Sequence, residues 1–359
     1  MSAHKIKSPD DPALAELCAR LAEFAPRLDE PGAWPGEQLR LCGKAGVYEW
    51  FLPREVGGQE WSEADVVRGY LQLSAACLTT TFVITQRSAA YSRIIASENN
   101  SLHRELLPGL LSGEKFATVG ISHLTTSRQH VGAPVLRAEE TASGFVLEGY
   151  TPWVTGAEYA EHVVIGATLA DGRQILLALP TALPGVRIPP PPQLVGLSAS
   201  HTGPVHCDRV VIDRRWLLAG PVHELMKHGV GAKTGGLQTS TLAIGLASAA
   251  IAYLERETGS REALTAPAVA LRGEQQAIEK DLLELARGIP ACSSEELRTR
   301  ANSLALRASQ AALVAAKGAG YVLGHPAGRW CREALFFLVW SCPQGVLAAN
   351  LCELAGLEV

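Results

Sequence analysis

Gly144-Phe145-Val146-Leu147-Glu148-Gly149-Tyr150-Thr151-Pro152-Trp153-Val154-Thr155-Gly156 alternates apolar and polar residues, then closes on Trp-Val-Thr-Gly. The alternation predicts a half-buried strand. Its tail sets an indole and a hydroxyl at the strand end. An indole offers a flat wall to a planar redox ring, and a threonine hydroxyl offers a hydrogen bond to a ring nitrogen. A buried tryptophan closing a strand over a threonine turn gives the same tail, so the rest of the chain has to choose between the two.

Outward from this strand, the pattern changes twice. Residues 10–115 carry helical apolar spacing: Asp10-Asp11-Pro12 reads as a helix start, and Leu14, Leu17, Cys18, Leu21 and Phe24 fall on one face. Pro53-Arg54-Glu55-Val56-Gly57-Gly58 breaks that pattern, and Ser62 is placed to cap the helix that follows. Residues 116–220 read as strands, with a hairpin at Asp171-Gly172, a polyproline connector over Ile188–Pro192 and a last clear strand over Val205–Ile212. Residues 221–359 return to helix in Ala- and Leu-rich runs at 240–256, 273–287, 295–316 and 330–356, as expected of an antiparallel bundle. The domain expectation is therefore an N-terminal helical domain over 1–115, a middle β domain over 116–220 and a C-terminal helical bundle over 221–359.

Composition narrows the function classes. The chain has 359 residues, 47% hydrophobic and 19% charged, which predicts a globular protein with a large core. A net charge of −4 with no basic block gives nucleic-acid binding no electrostatic support. The eight cysteines (18, 42, 77, 207, 292, 331, 342 and 352) form no CxxC and no zinc-spaced cluster, which predicts free thiols in a reducing compartment and no metal site. Met1-Ser2-Ala3-His4-Lys5 lacks the apolar core of a signal peptide, so a cytoplasmic location is expected. Leu237–Leu254 is uncharged, yet Gln238, Thr239, Ser240 and Thr241 make it a buried bundle helix and not a membrane span.

The order of helices, small β unit and helical bundle resembles the acyl-CoA dehydrogenase superfamily. Pro53–Gly58 resembles its P-x-x-x-G-G turn, Trp153-Val154-Thr155 its W-[IV]-[ST] flavin motif, and Gly196–Thr202 its G-x-R-x-S-x-T loop. Cys207–Ile212 resembles F-x-D-V-x-V-P, Gly318-Ala319-Gly320-Tyr321 resembles G-G-x-G-[YF], and Arg332-Glu333-Ala334 resembles R-D-A. The resemblance implies a middle β-barrel or sandwich, a C-terminal four-helix bundle, and FAD held between the two. It implies that Trp153 flanks the flavin ring, that Thr155 bonds near its N5, and that Ile121, Ser122, Val154 and Gly318 contribute to cofactor binding. It also implies an acyl-thioester substrate and a homodimer or homotetramer, since the family's flavin site borrows from a neighbouring subunit.

The departures from the family bear on chemistry. Desaturation of an acyl thioester needs a base for the α-proton while hydride leaves for the flavin. Counted from Arg332, the family's catalytic Glu falls on Ser341, whose neutral hydroxyl cannot take that proton unaided. The alternative position, on the first bundle helix, is Thr234-Gly235-Gly236-Leu237, with no acid. E-P-x-A-G-S-D is replaced by His123–His130, R-x-x-F-G by Glu257–Glu262, and the Gln before G-G-x-G by Val314. The ring half of the flavin site thus looks better kept than the ADP half. Arg261 can be either a substitute for the lost Arg or a solvated loop charge. FMN is an alternative to FAD. A reduced-flavin-dependent monooxygenase, which does not need the thioester base, and a non-catalytic paralogue stand as alternatives to a dehydrogenase.

Other polar clusters carry two readings each. His201 and His206 can be a metal pair or unrelated. Glu224 and His228, four apart on an expected helix, can be a relocated acid/base pair or solvated residues. Glu295–Arg307 is expected to be an exposed helix face.

Overall fold

The computed structural model describes residues 5–125, 134–229, 236–340 and 342–357. Asp11 caps α1 (Pro12–Phe24): its carboxylate accepts the Ala13 amide at 3.0 Å, and Pro12 occupies the first turn, where no N–H is needed. Leu14, Leu17, Leu21 and Phe24 are buried along one face, with Cys18 half-buried. α2 (Gly36–Lys44), α3 (Glu63–Ala76), α4 (Leu78–Ala96) and α5 (Asn100–Ser112) follow. Ser62 caps α3 by accepting the Asp65 amide at 3.1 Å. In the turn before it, Gly57 has φ +87°, and a Cβ on Gly58 would lie 2.0 Å from the Leu52 carbonyl oxygen, so both glycines of that motif are required by backbone geometry.

The strands β1 (Ala117–Gly120), β2 (Leu136–Glu140), β3 (Gly144–Thr155), β4 (His162–Leu169), β5 (Gln174–Pro180), β6 (Val186–Arg187), β7 (Thr202–Asp213) and β8 (Leu217–Val222) form one sheet. Its order is β6-β7-β3-β2-β4-β5-β8, with β1 parallel to β4. The short helix α6 (Ser122–Thr125) follows β1 directly. The expected β4–β5 hairpin is present, with Thr168 opposite Gln174. Its turn differs from the two-residue primed form. The Gly172 amide bonds the Leu169 carbonyl at 3.0 Å, and only Gly172 in the turn is left-handed, so one more residue is looped out. β8 lies beyond the last strand expected from sequence. Its Gly220-Pro221 pair and short apolar run weaken the alternation on which that expectation rests.

The C-terminal helices are α7 (Gln238–Thr258), α8 (Thr265–Ala286), α9 (Ser294–Ala316), α10 (Pro326–Ala334), α11 (Phe336–Val339) and α12 (Gln344–Leu354). The single run expected over 330–356 is broken twice, after Ala334 and before Gln344. Pro343 has no amide to donate and turns the residue before it away from helix, so α12 begins only after it. α7 is buried through Ala243–Ala247, and none of the described helices is long and apolar enough to cross a membrane.

α4 joins the layers. Its Val83, Ile84 and Tyr91 belong to the core shared with the sheet, while Leu78 and Phe82 belong to the core of the bundle. The N-terminal helices are thus packed between sheet and bundle, and all three regions meet along α4.

Candidate functional site

The end of β3 is shaped by a bulge. Thr151 pairs with Val205 and Val154 with Gly203, so β3 advances one residue more than β7 over the same span. Pro152, which has no amide for the ladder, sits inside the bulge. The extra residue shifts the strand's phase. Thr151 and Val154 both face the core, and Trp153 between them turns outward, 49% exposed. Thr155 follows on the outer side but is covered, 1% exposed, by the turn Ser198–Ser200 and the start of β7. Its hydroxyl hydrogen-bonds the Thr202 hydroxyl at 2.9 Å, which in turn bonds the Ser200 hydroxyl at 2.8 Å.

Ile121 and Val154 are buried in the core, so only their backbone groups can face a ligand. The Ser122 hydroxyl, at the start of α6, is buried with no hydrogen-bond partner. Beside it, His123 donates from Nε2 to the Gly166 carbonyl at 2.9 Å, and its Nδ1 is also buried without a partner. Burial lowers the His123 pKa and so favours the neutral ring. A buried hydroxyl without a partner costs about 1–3 kcal/mol, and such orphans gather where a ligand or water completes a site. A half-exposed indole and an orphaned serine hydroxyl next to β1 are suited to the edge and face of a planar heterocycle.

The loop before β7 links this strand end to the bundle. A Cβ on Gly196 would lie 2.6 Å from the Arg332 carbonyl oxygen, so only glycine allows the loop to rest on the α10 backbone. Behind that contact, α10 reaches the N-terminal helices twice. Arg332 bonds Asp29 at 2.7 Å, and Glu333 hydrogen-bonds the Thr79 hydroxyl on α4 at 3.2 Å. Glu333 is 4% exposed. Burial pushes its pKa up to about 7, against the pull of Arg329, whose Nε is 4.0 Å away.

One helical turn further along α4, Phe82 meets Phe336 and Trp340 edge-on, with ring centroids 4.8 and 4.9 Å apart. Trp340 immediately precedes Ser341, the position that the sequence resemblance assigns to a base, and Ser341 itself lies outside the described residues. The neighbouring backbone is pinned from α9: Arg298 donates to the Trp340 carbonyl at 2.6 Å, and Asn302 donates to the Phe337 carbonyl at 2.9 Å. Arg298 is 6% exposed, so Glu295–Arg307 is not a wholly exposed face. Its charge-rich composition conceals that Leu297, Arg298, Ala301 and Asn302 point inward. A polar pair at i and i+4 was the available signal. Desolvation lowers the Arg298 pKa to about 10.

The remaining candidates separate. Arg261 bonds the Ala315 carbonyl at 2.6 Å and pairs with Glu257, so it ties α7 to the end of α9 and is neither a free phosphate ligand nor a solvated charge. Gly318 lies in the 3-10 turn Lys317–Tyr321, where an added Cβ would meet open space, in the same turn as the exposed Tyr321. His201 bonds Glu158 and the Ala33 carbonyl, whereas His206 stacks on Tyr150. Among the described residues no three His, Cys, Asp or Glu side chains converge as a metal site. Glu224 and His228 do not share a helix: Glu224 is left-handed ahead of a one-turn 3-10 helix and pairs with Lys227, and His228 follows in extended backbone. Thr234 and Gly235 lie outside the described residues, as do positions 126–130 of the segment replacing E-P-x-A-G-S-D.

Comparison with known proteins gives the arrangement its class. Residues 13–114 match the family model "Acyl-CoA dehydrogenase, N-terminal domain". The short-chain specific acyl-CoA dehydrogenase of Rattus norvegicus mitochondria is 23% identical over 355 residues, covering 89% of this chain and 84% of that one. A probable acyl-CoA dehydrogenase of Bacillus subtilis, YngJ, is 24% identical over 240 residues, covering 64% of this chain and 62% of its own length. Among solved structures, butyryl-CoA dehydrogenase from Megasphaera elsdenii superposes with a TM-score of 0.81 at 15% identity, covering 96% of this chain and 97% of that one. Dibenzothiophene monooxygenase from Paenibacillus sp. A11-2 superposes with a TM-score of 0.78 at 14% identity, covering 97% of each chain. The fold is that of the acyl-CoA dehydrogenases.

Proposed function

We propose that this chain is a flavin-dependent oxidoreductase acting on the CH–CH group of an acyl thioester, with FAD as its cofactor. The observations that support the proposal are the bulged end of β3, which turns the Trp153 indole outward, and the orphaned Ser122 hydroxyl just after β1. These residues fit a flat tricyclic ring: Trp153 packs on it, Ser122 donates to or accepts from its polar edge, and backbone groups of Ile121 and Val154 complete that edge. Bound there, a flavin supplies a two-electron acceptor. The protein's part is to hold the ring, exclude water and manage the α-proton of the thioester.

The proton is the weak point of the site. Ser341 holds no carboxylate, and Arg298 fixes the backbone just before it without offering a base. A dehydrogenase built this way turns over slowly unless the substrate's own α-proton is acidic. The same two facts, with the likeness to a monooxygenase, favour a second reading: a reduced-flavin-dependent monooxygenase using FAD or FMN. Arg261, committed to Ala315 and Glu257, also leaves the ADP half of FAD without the family's arginine, which suits a loosely held flavin.

The functional unit we propose is a homodimer or homotetramer in the cytoplasm, with domain boundaries near residues 115 and 220. Tyr321, Val322 and Leu323 beside Gly318, and Leu347, Leu351 and Leu354 along α12, are exposed apolar side chains suited to a second copy. Gly318 would then serve a flavin held mainly by the neighbour.

Anaerobic mixing of the FAD-loaded protein with a panel of saturated acyl-CoAs tests the first reading. Bleaching of the flavin band with formation of the enoyl thioester is expected. No bleaching, together with oxygen uptake above free-flavin autoxidation when reduced flavin is supplied, would select the monooxygenase. Neither signal from a folded, flavin-bound protein would leave the non-catalytic paralogue.

A further inference from the structure

Both ring nitrogens of His201 meet acceptors. Nδ1 faces the Glu158 carboxylate, and Nε2 lies 2.9 Å from the Ala33 carbonyl oxygen. A carbonyl only accepts, so Nε2 carries a proton and donates it. A neutral ring has no second proton and leaves a bare lone pair on Nδ1. A lone pair set against a carboxylate is repelled. The contact to Glu158 therefore needs one more proton, whether it rides on Nδ1 or on the carboxylate.

Three separate parts of the chain meet at this ring. Ala33 and Trp34 lie just ahead of α2, Glu158 and Tyr159 lie in the 3-10 turn Ala157–Tyr159 after β3, and His201 lies just ahead of β7. The Trp34 indole stacks on the Tyr159 ring, with centroids 4.1 Å apart and planes at 15°. His201 meets both rings edge-on, and its carbonyl accepts the Gly156 amide at 3.0 Å. Its backbone is left-handed (φ +47°), which a residue with a Cβ resists, so these bonds hold it in place. The same pocket is walled by Ile188, Pro189 and Pro191 of the connector, which bring no titratable group. Besides Glu158, the titratable neighbour is Tyr159. Burial, and then the Glu158 charge, push its pKa up, so it keeps its proton near neutral pH.

We infer that the His201–Glu158–Ala33 contact is a pH-sensitive latch, closed by one proton, that ties the segment ahead of α2 to the end of β3. With the proton present, both ring nitrogens donate or share and the latch is closed. As pH rises the proton leaves, Nε2 keeps Ala33, and Glu158 swings toward solvent, to which its side chain is already 39% exposed. The stabilisation is thus present at low pH and lost as pH rises. The turn after β3 then loses its side-chain tie to the N-terminal segment. The latch needs no ligand at the strand end, so it stands apart from the flavin reading.

The test is hydrogen exchange read by mass spectrometry at pH 6 and pH 9, corrected for intrinsic rates, in wild type, Glu158→Gln and His201→Gln. Wild-type peptides covering 156–160 are expected to lose about tenfold in protection at pH 9, the worth of one charge-assisted hydrogen bond partly open to water, while α9 keeps its protection. Glu158→Gln separates the latch from packing. The glutamine amide donates to the bare Nδ1, so this variant should keep its protection at pH 9 and exceed wild type there. His201→Gln should be equally protected at both pH values. Equal wild-type protection at pH 6 and pH 9 overturns the inference, as does a Glu158→Gln protein that loses protection like wild type. A loss shared by α9 marks general loosening and overturns it too. If His201→Gln does not fold, the comparison of wild type with Glu158→Gln decides.

Discussion

Ser341→Glu in the FAD-loaded protein is expected to raise the rate of flavin reduction by acyl-CoA by roughly 10²–10⁴-fold, the usual contribution of a placed general base. The segment is prepared for it on both sides. Arg298 and Asn302 hold the carbonyls of Trp340 and Phe337, which fixes the backbone as far as Trp340. Phe82, Phe336 and Trp340 form an aromatic cluster ahead of that position in the chain, and burial already pushes the Cys342 thiol up. Surroundings that disfavour charge raise the basicity of a carboxylate. Stopped-flow reduction under anaerobic conditions reads the effect directly. An unchanged rate in a folded, flavin-bound variant would show that the substrate pocket, and not only the base, has diverged.

Glu333→Gln is expected to stabilise the protein at pH 8 and to leave it almost unchanged at pH 5. Glu333 has its pKa raised to about 7 by burial, with Asp29 adding to the rise and Arg329, Thr79 and Arg332 opposing it. Between the ordinary carboxylate range and about 7, the unfolded chain gives up this proton and the folded chain keeps it. Wild-type stability therefore falls as pH rises through that window and levels off above it. The full cost is on the order of 3 kcal/mol, from about 2.5 units at about 1.4 kcal/mol each. Glutamine has the same shape, keeps a carbonyl for the Thr79 hydroxyl and carries no charge to bury. Thermal melts of both proteins from pH 5 to pH 8 should diverge as pH rises, with the variant the more stable by several degrees at pH 8. Parallel melting curves would mean that Glu333 stays charged, paired with Arg329. Because α10, α4 and the Gly196 loop meet at this point, the cost falls on the junction that positions β3 against the bundle.

The sequence exposed much of the fold because the signals were local. Asp11 and Ser62 are caps, Gly57 and Gly58 are backbone requirements, and the alternation from Gly144 onward is the strand it predicts. The order of helices, sheet and helices follows from such periodicities. What escaped depends on long-range contacts. The phase shift at Pro152 that turns Trp153 outward is set by the β7 register, which no local pattern contains. Arg298 lies in a run that reads as a solvated face, and only the packing of α9 against the Trp340 segment reveals it as a buried clamp. Arg261 found partners on α9, and Glu224 and His228 were parted by a left-handed residue. The Thr155–Thr202–Ser200 chain joins residues up to 47 positions apart and is visible only once β3 and β7 pair.

Flavin uptake is the most direct measurement of the central claim. Purified protein titrated with FAD and with FMN, followed by absorbance after removal of free ligand, should retain about one flavin per chain. Trp153→Ala should weaken that binding roughly tenfold or more, since it removes the aromatic face on which the ring packs. Wild-type protein that is folded yet retains neither flavin, or a Trp153→Ala variant that binds as tightly as wild type, would contradict a flavin site at the end of β3.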